Sequence, residues 1–126
     1  MNYDFFISSL DDHNQESILL SEKIKPKEVI YVCEDEEKSI NRLEALKEFY
    51  KEKFPKIIFN SIIIKNINLK EIIGELEKYL KKKCIVNLSA SDKVLNIILM
   101  HICEVYNLEG ICLDIEKGRV LEVING

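Results

Sequence analysis

The stretch Cys84-Ile-Val-Asn-Leu-Ser-Ala-Ser-Asp-Lys93 decides how the rest of the chain is read. An apolar run stops at Asn87, small polar residues follow, and a long apolar segment begins just after Asp92. This order predicts a strand, a tight polar turn and a helix N-terminus. Such a turn exposes backbone N–H groups, and the helix dipole adds partial positive charge, so the combination can hold an anion. Ser89 and Ser91 offer hydroxyls there and Lys93 a point charge.

Working outward, the upstream chain alternates strand and helix patterns. Tyr3 to Ser9 predicts a first strand ending in small polar residues, and Leu10 to Asn14 a loop. Gln15 to Ile24 predicts a short helix with Ile18, Leu19 and Ile24 inward, closed by Lys25-Pro26. Glu28 to Cys33 is a buried strand. Glu36 to Phe54 is a long helix with Ile40, Leu43, Leu46, Tyr50 and Phe54 on one face, ended by Pro55. Lys56 to Ile64 is β-branched and predicts a third strand. Asn68 with Glu71 makes a capping-box pattern for a third helix, which carries Ile72, Ile73, Leu76, Tyr79 and Leu80 inward. Cys84 to Leu88 is the fourth strand and Asp92 to Tyr106 the fourth helix. Ile111 to Ile115 and Arg119 to Ile124 form a hairpin around Glu116-Lys-Gly118. The expected fold is α/β and Rossmann-like: a mainly parallel sheet with helices on both faces and a C-terminal antiparallel β-hairpin. With no repeat, low-complexity tract or linker in view, residues 1–126 are expected to form one domain.

Composition narrows the function classes. A chain of 126 residues with 18 basic and 22 acidic residues carries a net charge of −4, so no general DNA- or RNA-coating role is expected. A compact phosphate ligand at one local site remains compatible with that charge. The four cysteines, Cys33, Cys84, Cys103 and Cys112, form no close pair and sit inside apolar runs. They read as buried free thiols in a reducing, cytoplasmic setting rather than as metal ligands. No basic-then-apolar leader is seen, and no apolar run reaches the ~20 residues of a membrane span.

In a doubly wound sheet the strand order reverses beside the first strand, and ligands bind in the crevice at the carboxyl ends there. The first strand ends in Ser8-Ser9-Leu10-Asp11 and the fourth in Asn87-Leu88-Ser89-Ala90-Ser91. Both ends are small and polar, and they would converge on one crevice. The candidate ligand-binding residues are therefore Ser8, Ser9, Leu10, Asp11, Asn87, Ser89, Ala90, Ser91, Asp92 and Lys93. The first turn, Ser8 to His13, has no glycine, which argues against a dinucleotide fingerprint. Without those glycines, Glu34 and Asp35 read as first-turn helix acids rather than ribose ligands. No GxxxxGK[ST] or GxSxG occurs, so a P-loop NTPase and an α/β-hydrolase are excluded.

Of the two histidines, His13 falls in the loop near the crevice and His101 within the fourth helix. Lys81-Lys-Lys83 is a basic cluster at the amino end of the fourth strand and reads as a solvated cap. The fourth helix is apolar nearly all round, through Val94, Leu95, Ile97, Ile98, Leu99, Met100, Ile102, Cys103 and Val105. An outer helix needs one apolar stripe. The excess is explained either by a second copy of the chain or by neighbouring elements that cover the helix.

Asn87-Leu-Ser-Ala-Ser-Asp-Lys93 opening an apolar helix resembles the fourth-strand turn of CRISPR-associated Rossmann-fold (CARF) domains. That turn commonly reads Asn-hydrophobic-Thr-Gly-Gly-Thr-Lys. Asn87, Leu88 and Lys93 match it, Ser89 stands where Thr is common, Ala90-Ser91 replaces Gly-Gly, and Asp92 replaces the second Thr. Ile7-Ser8-Ser9 is similar to the family's first-strand turn, and the order of elements agrees along nearly the whole chain. The likeness is to the sensor domain of two-part CARF–nuclease effectors, whose effector domain is absent from this chain. It implies a homodimer that binds a cyclic oligoadenylate, usually the tetra-adenylate, in type III CRISPR antiviral signalling. No cofactor, metal or catalytic residue is expected of a sensor. The alternative is a metal-independent ring nuclease, in which Ser9, Ser91 and Lys93 position a ribose 2′-hydroxyl for in-line attack. Direct DNA binding is not expected, because no helix-turn-helix is visible.

Overall fold

In a computed structural model, which describes residues 2–11, 14–90 and 92–124, the alternation resolves into one six-stranded sheet. The elements are β1 (Phe5–Ser9), α1 (Gln15–Ile24), β2 (Glu28–Glu34), α2 (Glu37–Lys53), β3 (Ile58–Ile64), α3 (Leu69–Leu76), β4 (Cys84–Asn87), α4 (Lys93–Tyr106), β5 (Glu109–Asp114) and β6 (Arg119–Ile124). The strand order is β3-β2-β1-β4-β5-β6. All pairings are parallel except β5 with β6. The fold class read from the sequence is therefore the observed one.

Strands β1, β2 and β4 are buried on both faces, and their side chains alternate between two cores. Phe6 of β1, Val29, Tyr31 and Cys33 of β2 and Ile85 of β4 pack with Leu20 of α1 and Leu43, Leu46 and Tyr50 of α2. Ile7, Ile30, Val32, Cys84 and Val86 take the other face, under Ile72 and Leu76 of α3 and Leu95, Leu99 and Ile102 of α4. The helices thus divide by sequence: α1 and α2 cover one face, α3 and α4 the other. The chain changes face on crossing from β3 at the edge to β4, which places the order reversal between β1 and β4.

Several local expectations shift. In α1 the inward residue is Leu20, fully buried, while Leu19 is 47% exposed. Helix α3 stops at Leu76, and Tyr79 and Leu80 are buried from the turns that follow it. The Asn68 side chain accepts from the Glu71 N–H at 2.8 Å. Glu71 does not return the bond to Asn68. Its carboxylate accepts instead from the N–H groups of Lys65 and Asn66, each at 3.2 Å. A Cβ at Gly110 in β5 would lie 2.7 Å from Leu88 Cδ1, so a side chain there would have to displace that terminal methyl group. Gly118 closes the β5–β6 turn at φ 60.

Beneath α1 the core is polar. Ser17 Oγ donates to the Asn14 carbonyl at 3.1 Å, and Ser21 Oγ to the Ser17 carbonyl at 2.7 Å. The Tyr31 hydroxyl lies 2.9 Å from Ser17 Oγ and 2.7 Å from the Tyr50 hydroxyl, which lies 2.5 Å from Ser21 Oγ. All five residues are buried.

Burial pushes the Cys33 thiol from an ordinary 9.0 to about 11, with neighbouring carboxylates adding to the effect. Burial likewise pushes Cys84 and Cys103 to about 12, and raises the Tyr31 and Tyr50 phenols above 10.0. In the unfolded chain these groups lose their protons first, so above their ordinary values the unfolded state gains and the folded state does not. Stability is expected to be undiminished by these groups up to about pH 9 and to fall between about pH 9 and 12. Urea midpoints measured across that window check this, and a flat profile would contradict it.

Candidate functional site

Strands β1 and β4 lie side by side, with Ile7 opposite Val86. One residue further on, Asn87 Nδ2 donates to Ser8 Oγ at 3.1 Å, and Ser8 Oγ donates to the Ser9 carbonyl at 2.9 Å. The two carboxyl ends thus meet, as their small polar residues suggest. Asn87 is 1% exposed and uses its oxygen as well: Oδ1 accepts from the Ser89 N–H at 2.9 Å and from the Ser89 hydroxyl. Ser89 Oγ in turn accepts from the Leu113 N–H at 3.2 Å, which ties the turn to β5.

Helix α4 opens where the charge pattern places it. Asp92 is its N-cap, and Oδ1 accepts from the Leu95 N–H at 3.0 Å. Lys93 is the first helical residue and is exposed. Asn96 Nδ2 donates to the Ala90 carbonyl and so holds the turn against the helix. On the β1 side, Leu10 donates its N–H to Val32 at 2.9 Å, and Asp11 donates its N–H to Asn14 Oδ1 at 2.8 Å. Asn14 precedes α1 in the left-handed region at φ 54. Ser91 and His13 lie outside the described residues.

Among the described residues, two buried side-chain polar atoms have no hydrogen-bond partner: Ser9 Oγ and Asn96 Oδ1. They belong to the end of β1 and the second turn of α4, the two elements that flank the order reversal. An orphaned buried polar group costs about 1–3 kcal/mol, so its position calls for a reason.

Sequence reasoning missed the outer wall. A cavity of about 200 Å³ opens beside β1 and is lined by Leu10, Glu34, Glu36, Arg42 and Asp92, among others. Burial raises the Glu34 carboxyl, and the negative charges of Glu36 and Asp92 raise it further. This rim is therefore acidic, and it faces the α4 N-terminus through Asp92. The signal was present in the chain: in a 3-2-1-4 order the end of β2 must adjoin the end of β1. Among the described residues no His/Cys/Asp/Glu group could hold a metal ion, and no helix is long and apolar enough to cross a membrane. The four cysteines are free; Cys33, Cys84 and Cys103 are buried and Cys112 is half-buried.

No protein-family model and no curated protein matches the sequence. Solved structures do. Can2 from Sulfobacillus thermosulfidooxidans, in complex with cyclic tetra-adenylate, superposes over 98% of this chain with a TM-score of 0.76 at 14% identity. The chain shares its fold with Can2. Enterococcus italicus Csm6, bound to cyclic hexa-2′-fluoro-hexa-dAMP, superposes over 89% of the chain with a TM-score of 0.67 at 8% identity. The chain spans about a third of the length of both, 35% of Can2 and 33% of Csm6.

The hydrogen bonds separate the two candidate serines. Ser89 Oγ is engaged on both sides within the protein, so Ser89→Ala should lower stability by about 1–2 kcal/mol and leave ligand affinity nearly unchanged. Ser9 Oγ has no such engagement, so Ser9→Ala should keep the melting temperature and weaken ligand binding. Melting curves and calorimetry with cyclic tetra-adenylate on both variants check this; the opposite pattern would reverse the assignment.

Proposed function

We propose that this chain is a single sensor domain that binds a cyclic oligoadenylate, cyclic tetra-adenylate, at a homodimer interface in cytoplasmic type III CRISPR antiviral defence. The observation that carries this reading is the convergence of the β1 and β4 ends at the order reversal, with orphaned Ser9 Oγ and Asn96 Oδ1 flanking it. The shared fold with a protein caught in complex with cyclic tetra-adenylate supports it.

Charge divides the work within the crevice. Phosphates belong at the α4 N-terminus, where the helix dipole and Lys93 are favourable. Glu34 and Glu36 repel phosphate and suit hydrogen-bond donors, such as the exocyclic amine of adenine or a ribose hydroxyl, while Arg42 in the same lining is a cation. Leu10 lines the pocket, and Ser8, Asp11, Asn87, Ser89 and Ala90 belong to the strand ends and turns beside it. Lys93→Ala should weaken binding by about 1.5–3 kcal/mol, the worth of a charge-assisted bond. Asp92→Asn keeps a competent N-cap and removes a negative charge, so it should tighten binding. Calorimetry with cyclic tetra-adenylate reads both, and two unchanged affinities would refute the placement of the phosphates. Chromatography of the same mixtures follows the chemistry: intact ligand is expected, and linear products would make the domain a ring nuclease.

Helix α4 supports the dimer. Leu95, Leu99, Ile102 and Cys103 pack on the sheet, whereas Val94, Ile97 and Val105 are 55%, 67% and 57% exposed and Met100 38%. Nothing in the described chain covers that second apolar face, which a second copy would bury. Ile97→Glu should halve the mass by light scattering at micromolar concentration and keep the fold, because Ile97 is outside the protomer core. A monomer mass for the unmodified chain would defeat the dimer.

A further inference from the structure

The amino end of the sheet, opposite the crevice, holds a second concave region. A cavity of about 390 Å³ lies between the C-termini of α1 and α2, walled by Phe54, Pro55 and Ile57. Lys25, Lys53 and Lys56 line it, and Glu22 is the one carboxylate in its described lining. An adjoining cavity of about 260 Å³ shares Pro55 and Ile57 and adds Phe59, Lys47 and Lys51. All five lysines are exposed, and none has an ion-pair partner among the described residues.

Lysines at helix C-termini ordinarily complement the dipole, but two helix ends account for only about one unit of charge between them. Five ammonium groups against one carboxylate leave a lining excess of four, although Glu44, Glu48 and Glu52 alternate with the lysines along α2 outside the two linings. That excess is local, since the whole chain is at −4. The walls between these charges are apolar and aromatic. The larger cavity alone reaches the ~300 Å³ at which small-molecule sites begin.

We propose that this basin is a second ligand site, for a compact organic phosphate that carries a flat ring, the chemistry of a nucleoside diphosphate. Lysines bind phosphate as point charges, and the phenyl rings of Phe54 and Phe59 with Pro55 offer a surface for the ring. The site goes beyond the crevice reading and is independent of it: it sits at the other end of the strands and uses none of the same residues.

The test is a titration of the ¹⁵N-labelled protein, followed by amide shifts, with adenosine diphosphate, adenosine and inorganic pyrophosphate in parallel. Adenosine diphosphate should give saturable shifts at Lys25 and across residues 53–57, and each half-molecule should bind at least tenfold more weakly. The double variant K53E/K56E should lose at least tenfold in affinity, with its circular dichroism unchanged because both positions are exposed. Should that variant unfold, K47E/K51E is read in the same way. Shifts confined to the crevice residues, or an unchanged affinity in the charge variants, would overturn the proposal. Pyrophosphate binding as tightly as adenosine diphosphate would overturn it too, since the apolar walls would then do nothing.

Discussion

The carboxyl edge of the sheet depends on one side-chain amide. Asn87 donates from Nδ2 to Ser8 on β1 and accepts at Oδ1 from the backbone and hydroxyl of Ser89. Through Ser89 the connection reaches the Leu113 N–H on β5. A buried amide can make such bonds only if every partner is held in place, and here the partners belong to three adjacent strands. The position of the α4 N-terminus over the crevice follows from this tie, because Ser89 is bonded to Asn87, the Ala90 carbonyl to Asn96, and Asp92 to the Leu95 N–H. Leu88 is held as well, its N–H bonded to Ile111 and its methyl group packed where Gly110 leaves space.

The architecture was legible because it rests on period and punctuation. Strands buried on both faces read as continuous apolar runs, and Pro55, Asn68 and Asp92 mark helix boundaries that reappear within a residue or two. The convergence of Ser8 with Asn87 was legible through topology, since two polar strand ends must meet once β1 and β4 are neighbours. What escaped was what periodicity cannot carry. Leu19 and Leu20 are adjacent leucines, and which one faces the sheet depends on a rotation of α1 that the sequence leaves open. The same holds in α4, where Leu99 is buried and Ile97 exposed within one apolar run. Tyr79 and Leu80 fit a helical stripe, yet the helix ends at Leu76 and turns deliver both rings and methyls to the core. The acidic wall was missed because it comes from α2 and the end of β2, remote in sequence from the turn that drew attention.

Charge is sorted between the two ends of the strands, a fact that the net value conceals. Glu34, Glu36 and Asp92 gather at the carboxyl end, and Lys25, Lys47, Lys51, Lys53 and Lys56 gather at the amino end. Arg42 in the same lining and Lys93 at the start of α4 break the pattern. Parallel strands with helical crossovers impose part of this order, since helix starts favour acids and helix ends favour bases. A parallel fold therefore tends toward a charge axis along its strands.

The hydroxyl cluster under α1 has an arithmetic of its own. Five close oxygen pairs join Asn14, Ser17, Ser21, Tyr31 and Tyr50, but the four hydroxyls bring only four protons. Two of these protons are claimed by the carbonyls of Asn14 and Ser17, which can only accept. The two phenol protons are left to serve three gaps. With Tyr31 donating to Ser17, the Tyr50 proton can go either to Tyr31 or to Ser21. Each pattern leaves a different gap unbridged and points the local dipole along a different path. An aliphatic core offers no such choice, whereas here rotation of the Tyr50 hydroxyl alone would carry one hydrogen bond from Tyr31 to Ser21 without moving a heavy atom.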